Sequence, residues 1–196
     1  MKILFTSNRF YPDIGGIESH SKILADYFTS KGCSVALYTR SSEGFASSNF
    51  SYPVWRRADA KTLRQAHSNA DLVYQNNIEL GSLWPAMLLR KPLVVSIHTW
   101  LRGPDGRRRP VDLLKKIVLR RANAVICVSE ALREDSFAGA LVVPNPYNDQ
   151  LFRKLPNVNR DRALVFLGRL VSDKGADLLV EAFARLAIDQ EFQDAC

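Results

Sequence analysis

Apolar runs alternate along this chain with segments of helical spacing. The runs KILFTS (2–7), SVALYTR (34–40), DLVYQNN (71–77), PLVVSIH (92–98), AVICVS (124–129), ALVVPN (140–145) and ALVFLG (163–168) have the length of strands, and several are rich in β-branched residues. Several are continuously apolar rather than alternating, as expected of strands covered on both faces. A shorter run, YPVW (52–55), is a further candidate. Between the runs, Ile17, Ser21, Leu24 and Phe28 fall on one helical face, and Gly32 supplies a stop. Leu113, Ile117 and the pair Arg120–Arg121 mark a second helix; Leu179, Phe183 and Leu186 mark a third. Strand–helix–strand repetition predicts an α/β fold, a Rossmann-like parallel sheet with helices on both faces.

Ligands of such sheets sit beyond the carboxyl ends of the strands, so the residues just after each run are the ones to read for chemistry. The polar stretch 146–161 carries Pro146 and Pro156 and reads as a connection. The expected division is a lobe over 1–150, a linker over 151–161, and one strand–helix unit over 162–196. That last unit is expected to be incomplete, because one strand and one helix cannot bury both their faces. A partner chain covering 163–187 is one way to complete it.

Composition narrows the class. Of 196 residues 46% are hydrophobic, ordinary for a globular protein with a sizeable core. Cys33, Cys127 and Cys196 lie far apart, which indicates neither a disulfide framework nor a zinc site. Cys127 reads as a small buried apolar residue. No run approaches the ~20 apolar residues of a membrane-spanning helix. The first twelve residues are too briefly apolar for a secretory signal, so a cytoplasmic location is expected.

The net charge of +7 is concentrated in one place. Residues 102–121, RGPDGRRRPVDLLKKIVLRR, hold eight Arg or Lys against two Asp, a local +6 that leaves about +1 for the remainder. This stretch reads as a solvated face, as a phosphate-binding surface for nucleic acid, or as a basic cluster that meets an anionic membrane through neighbouring Leu113, Leu114 and Ile117. No aromatic platform or binding motif interleaves it, which speaks against nucleic acid.

Three strand ends carry candidate chemistry. Gly15 and Gly16 precede the first helix, where glycines admit a ligand's close approach and free N–H groups favour anions. A plain turn fits the same spacing, and the pattern is not GxGxxG. Glu18 suits a helix N-terminus, and His20 reads as a helix-face residue. His98, at the end of PLVVSI, could hydrogen-bond a substrate hydroxyl or move a proton. His67 reads as a surface residue. In LVFLGRLVSDKG (164–175), a strand runs into a loop with Arg169, and Lys174 stands at a helix start. Two cations and a helix N-terminus suit a multiply charged anion such as a diphosphate; two ordinary surface cations would look the same.

Taken together these residues resemble the family-four retaining glycosyltransferases, whose fold is the two-lobed GT-B. PDIGGIE (12–18) is similar to the glycine loop of that family's first lobe, VSEALRE and VVPNPYNDQLF to its last segments, and GRLVSDKGADLLVEAFARL to the motif opening its second lobe. The resemblance implies sugar transfer with retention from a nucleotide-sugar donor to a glycan or lipid-linked acceptor, without metal or other cofactor, at the cytoplasmic membrane face. It implies that Arg169 and Lys174 hold the donor diphosphate and that His98 contacts the transferred sugar. Gly15, Gly16, Glu18 and Asn145 would line the substrate site. The chain has His98–Thr99 where many members have His-Asp, and Pro144–Asn145–Pro146 where many have Pro-Asn-Gly. The sugar- and ribose-gripping segment of the second lobe has no counterpart up to Cys196, so the 196-residue chain alone is expected to be inactive. The alternative is a non-catalytic lobe that binds an acceptor or partner.

Overall fold

The computed structural model describes residues 1–43, 49–103, 107, 109–156, 158, 164–168, 170–171 and 174–186. Its chain divides into two compact units, Met1–Phe152 and Arg153–Cys196.

The first unit is a seven-stranded parallel sheet. Its strands are β1 (Lys2–Ser7), β2 (Ser34–Thr39), β3 (Val54–Arg56), β4 (Leu72–Asn76), β5 (Leu93–Ile97), β6 (Ala124–Cys127) and β7 (Leu141–Val142), in the order β3-β2-β1-β4-β5-β6-β7. The helices are α1 (Gly16–Ser30), α2 (Ala60–Asn69), α3 (Leu80–Leu88), α4 (Pro110–Arg121) and α5 (Glu130–Ser136). The chain winds outward from β1 to β2 and β3, then returns to place β4 on the other side of β1. The reversal leaves a topological switch point at the carboxyl ends of β1 and β4, the usual ligand crevice in open α/β sheets.

Side-chain alternation explains why the strands read as continuous apolar runs. Ile3 and Phe5 of β1 join Val35, Leu37 and Tyr74 in one core, while Leu4 joins Val73, Val95 and Leu63 in the other. With both faces covered, Ile3, Leu4 and Phe5 are all apolar, and the buried Thr6 that follows is paired with Gln75. Full burial of a side chain such as Phe5 contributes roughly 1.5–3 kcal/mol.

Local chemistry sets the helix ends. The Asp59 carboxylate accepts from the Thr62 N–H at 2.7 Å at the start of α2, and Ser129 Oγ accepts from the Leu132 N–H at 3.3 Å at the start of α5. Gly32, with φ 79°, ends α1, and the Cys33 N–H reaches back to the Phe28 carbonyl at 3.0 Å.

The structure adds to the sequence reading and corrects it at His67. Helices α2, α3 and α5 carry no marked periodicity in the reading above, yet all three form. His67, expected at the surface, is fully buried on α2, and its Nδ1 donates to the Leu63 carbonyl at 2.9 Å. On α4 the sheet covers Val118 and Leu119, while Leu113 and Ile117 are 65% and 43% exposed.

In the second unit α6 (Ala176–Leu186) forms as expected, and it buries none of its residues. The strand expected over 163–168 does not: residues 164–168 carry no strand pairing. Among the described residues of the second unit there is no strand to pair with it, and an apolar sequence alone does not make a strand. Leu179, Phe183 and Leu186 of α6 are all exposed.

Candidate functional site

The carboxyl ends of β1, β4 and β5 bring together most of the residues read as chemical in the sequence. Gly15 caps α1 and Gly16 is its first residue. Gly15 is fully extended (φ 177°), so its backbone needs no glycine. A Cβ at Gly15 would meet Glu18 Oε2, the far end of a flexible side chain, which would have to move aside. Glu18, only 7% exposed, folds its carboxylate back over the N-terminus of its own helix, where backbone N–H groups and the helix dipole favour negative charge. A Cβ at Gly16 would meet nothing within 4 Å, so the first turn of α1 opens onto free space.

α1 is locked to β4 by Asn76. Its buried amide donates to the Ile17 carbonyl at 2.9 Å and to Ser21 Oγ. This fixes the helix N-terminus against the sheet. Next along the chain, Asn77 adopts a left-handed backbone (φ 61°) and turns its side chain toward the end of β5. Its Nδ2 donates to Thr99 Oγ1 at 3.0 Å, and its Oδ1 accepts from the His98 N–H at 3.4 Å.

His98 follows β5 and is partly buried. Its Nε2 lies 2.9 Å from Ser96 Oγ. The Ser96 side chain also hydrogen-bonds Tyr74. Burial pulls the His98 pKa down to about 4, and a side-chain hydrogen bond with Asn145 opposes the shift. His20, on the sheet-facing side of α1, packs edge to face on His98 with ring centroids 4.4 Å apart. Burial, then the neighbouring His98, lowers its pKa to about 4 as well, against the opposing effect of Asn76. Both imidazoles are therefore neutral near neutral pH, and each can donate one hydrogen bond and accept another.

The structure thus gathers His98 and Asn145 around one hydrogen-bonded group, and places Gly15, Gly16 and Glu18 at the N-terminus of the helix that carries His20. His20, read as an ordinary helix-face residue, is the member that sequence reading missed. It is buried on α1 with Glu18, Ser21 and Ala25, a face that the spacing of Ile17, Ser21, Leu24 and Phe28 marks only at Ser21. Ser96, Asn76 and Asn77 were also missed. Each is a polar residue that interrupts or closes an otherwise apolar run, which in a doubly covered strand costs free energy unless it is paired. Lys174 lies just before α6 in the second unit; Arg169 falls outside the described residues. Among the described residues no three His, Cys, Asp or Glu side chains gather as a metal site.

Comparison with known proteins identifies the family and the fold. The profile of the family described as Glycosyltransferase Family 4 matches residues 14–150. Among solved structures, sucrose-phosphate synthase from Thermosynechococcus elongatus superposes with TM-score 0.70 at 20% identity, over 94% of this chain and 59% of that one. The Anabaena protein HepE in complex with UDP-glucose superposes with TM-score 0.58 at 22% identity, over 80% of this chain and 47% of that one. A second structure of HepE, with UDP and glucose, gives TM-score 0.58 at 21% identity. These likenesses establish the fold. The chain spans about half the length of the solved structures it matches. No curated protein matches it.

Proposed function

Because the chain belongs to glycosyltransferase family 4, we propose that it provides the acceptor-side lobe of an enzyme that transfers a hexose from a nucleotide sugar, with retention, to a glycan or lipid-linked acceptor. The observation that carries this reading is the neutral His98, set beside His20 and Ser96 at the carboxyl end of β5. A neutral imidazole is a hydrogen-bond partner for a sugar hydroxyl, and it does not compete for the anionic donor as a cation would. His98 would orient the transferred sugar. The open first turn of α1 would let the sugar or an acceptor group approach the backbone of Gly16.

Arg169 and Lys174 would hold the donor diphosphate and stabilise the charge that grows on it as the glycosidic bond breaks. The departing phosphate would take the proton of the attacking acceptor hydroxyl on the same face of the sugar, so no protein nucleophile is required. The nucleotide sugar is a substrate, and the proposed chemistry calls for neither a metal ion nor another cofactor. Residues 102–121 supply a route to an anionic membrane surface: Leu113, Leu114 and Ile117 are exposed on the helix that carries Lys116, Arg120 and Arg121. That placement suits a lipid-linked acceptor at the cytoplasmic face. No helix among the described residues is long and apolar enough to cross a membrane.

A second reading, a lobe that binds acceptor or partner without catalysis, draws on the exposed apolar face of α6, which suits a covering partner chain. The deciding experiment is a transfer assay with nucleotide-sugar donors, using protein that includes the rest of the donor lobe. The glycoside formed should keep the donor's anomeric configuration. An inverted product would contradict the retaining mechanism, and donor binding without transfer would favour the second reading.

A further inference from the structure

Away from His98, a cavity of about 560 Å³ opens at the carboxyl ends of β2 and β3, lined by Tyr38, Arg40, Arg57, Ala58 and Gly81. Two guanidinium side chains face one space. Arg57 is held there by backbone and side chain together: it adopts a left-handed conformation (φ 46°), its backbone N–H donates to the Thr39 carbonyl at 2.9 Å, and its side-chain Nε donates to the Arg40 carbonyl at 2.9 Å. A non-glycine residue seldom takes that conformation unless its surroundings impose it. One arm of Arg40 reaches Glu79 Oε1 at 3.3 Å, while Glu79 Oε2 is buried without a hydrogen-bond partner. Two cations against one carboxylate leave the cavity with a formal charge of +1. Ala58 carries only a methyl group, Gly81 has no side chain and lies against the Glu79 carboxylate, and Tyr38 contributes a hydroxyl-bearing wall.

The cavity shares a frame with the glycine loop. Ser41, next to Arg40, accepts from the Phe10 N–H at 3.0 Å and donates to the Asp13 carboxylate. Its place at the carboxyl edge of the sheet, in the lobe read as acceptor-side, suits an acceptor rather than the donor.

We propose that the cavity bounded by Tyr38, Arg40, Arg57, Ala58 and Gly81 binds an oxyanion, a carboxylate or phosphate group, carried by the acceptor. Its assignment to the acceptor rests on the transferase reading above; the binding of an anion does not. Arginine pairs suit both groups because the planar fork matches two oxygens at once. Glu79 holds Arg40 in place and at the same time competes with the ligand for it.

The test is amide NMR of the 196-residue chain, titrated at fixed ionic strength with methyl glucuronide, inorganic phosphate and, as the neutral control, methyl glucoside. Glucuronide, phosphate or both should shift the Ala58 and Gly81 resonances, and the glucoside should not. A response to glucuronide alone identifies an acidic sugar, and a response to phosphate alone identifies a phosphorylated acceptor. Arg57→Gln should weaken binding by about tenfold, the value of one charge-assisted contact. Glu79→Gln should tighten it, because the competing carboxylate is gone. Equal shifts from the glucoside, unchanged affinity in Arg57→Gln, or weaker binding in Glu79→Gln would overturn the proposal. Anion binding without sugar transfer would instead contradict only the transferase reading, and transfer to a neutral acceptor without anion binding would contradict only this one.

Discussion

The imidazole of His20 meets that of His98 edge to face, with ring centroids 4.4 Å apart and ring planes at 70°. Two adjacent rings with pKa values near 4 disfavour protonation of either one. Both folded-state values lie below the ordinary 6.5. Between those limits the unfolded chain binds protons that the folded chain does not. Stability therefore rises with pH across this window and is lost as pH falls from about 6.5 to about 4. The melting temperature should fall across that interval. His20→Phe keeps an aromatic ring and removes one titrating group, so its melting temperature should fall less steeply. An equal slope in the variant would show that His20 does not titrate as described.

Asn76 joins α1 to β4 through two hydrogen bonds from one amide. Asn76→Ala leaves the Ile17 carbonyl and Ser21 hydroxyl short of a donor in a buried place. The expected loss is about 1–3 kcal/mol of unfolding free energy, read by chemical denaturation. A loss below about 0.5 kcal/mol would mean that other contacts set the position of α1.

Gly15 and Gly16 should respond differently to added side chains. Gly16→Leu adds atoms to open space, so the melting temperature should stay near wild type while sugar transfer collapses. Gly15→Ala places a methyl group against Glu18 and should displace its carboxylate. In a double-mutant cycle, Gly15→Ala and Glu18→Ala should couple by about 0.5–3 kcal/mol. Additive effects would mean that the two residues do not share space as the geometry requires.

The basic, apolar face of α4 should hold the chain to anionic vesicles. Attraction of roughly 1 kcal/mol for each basic residue near the surface should fade at high salt. Replacing Lys116, Arg120 and Arg121 with Gln should reduce co-sedimentation with phosphatidylserine vesicles, and Leu113→Asp should reduce it further. Unchanged co-sedimentation in both variants would leave α4 as a solvated face.

Much of the architecture was legible because a doubly covered parallel sheet writes its strands as mostly apolar runs. β1, β2, β4, β5 and β6 all follow that rule. The segment 163–168 has the same composition and forms no strand, because a strand is a pairing and sequence shows only one partner. Helices α2 and α3 were hard to see for different reasons. α2 is short and largely polar, with only Leu63, Ala66 and His67 buried, while α3 contains Pro85. In the site, Gly15, Gly16, Glu18 and His98 could be picked out by position after strands. The partnership of His20 with His98 could not, because 78 residues separate them and the contact exists only once β5 lies beside β4. The cavity at Arg40 and Arg57 was hidden for the same reason: two exposed arginines become a site only when β2 and β3 pair.

The central claim is that the group around His98 meets the transferred sugar. The most direct measurement is sugar transfer by wild-type and His98→Ala protein that includes the rest of the donor lobe, with thermal melting as control. The account predicts a loss of turnover on the order of a hundredfold, comparable to removal of one preorganised hydrogen-bond partner, with folding retained. His98→Gln, which keeps a donor and an acceptor, should recover part of it. Turnover of His98→Ala near the wild-type rate would contradict the account.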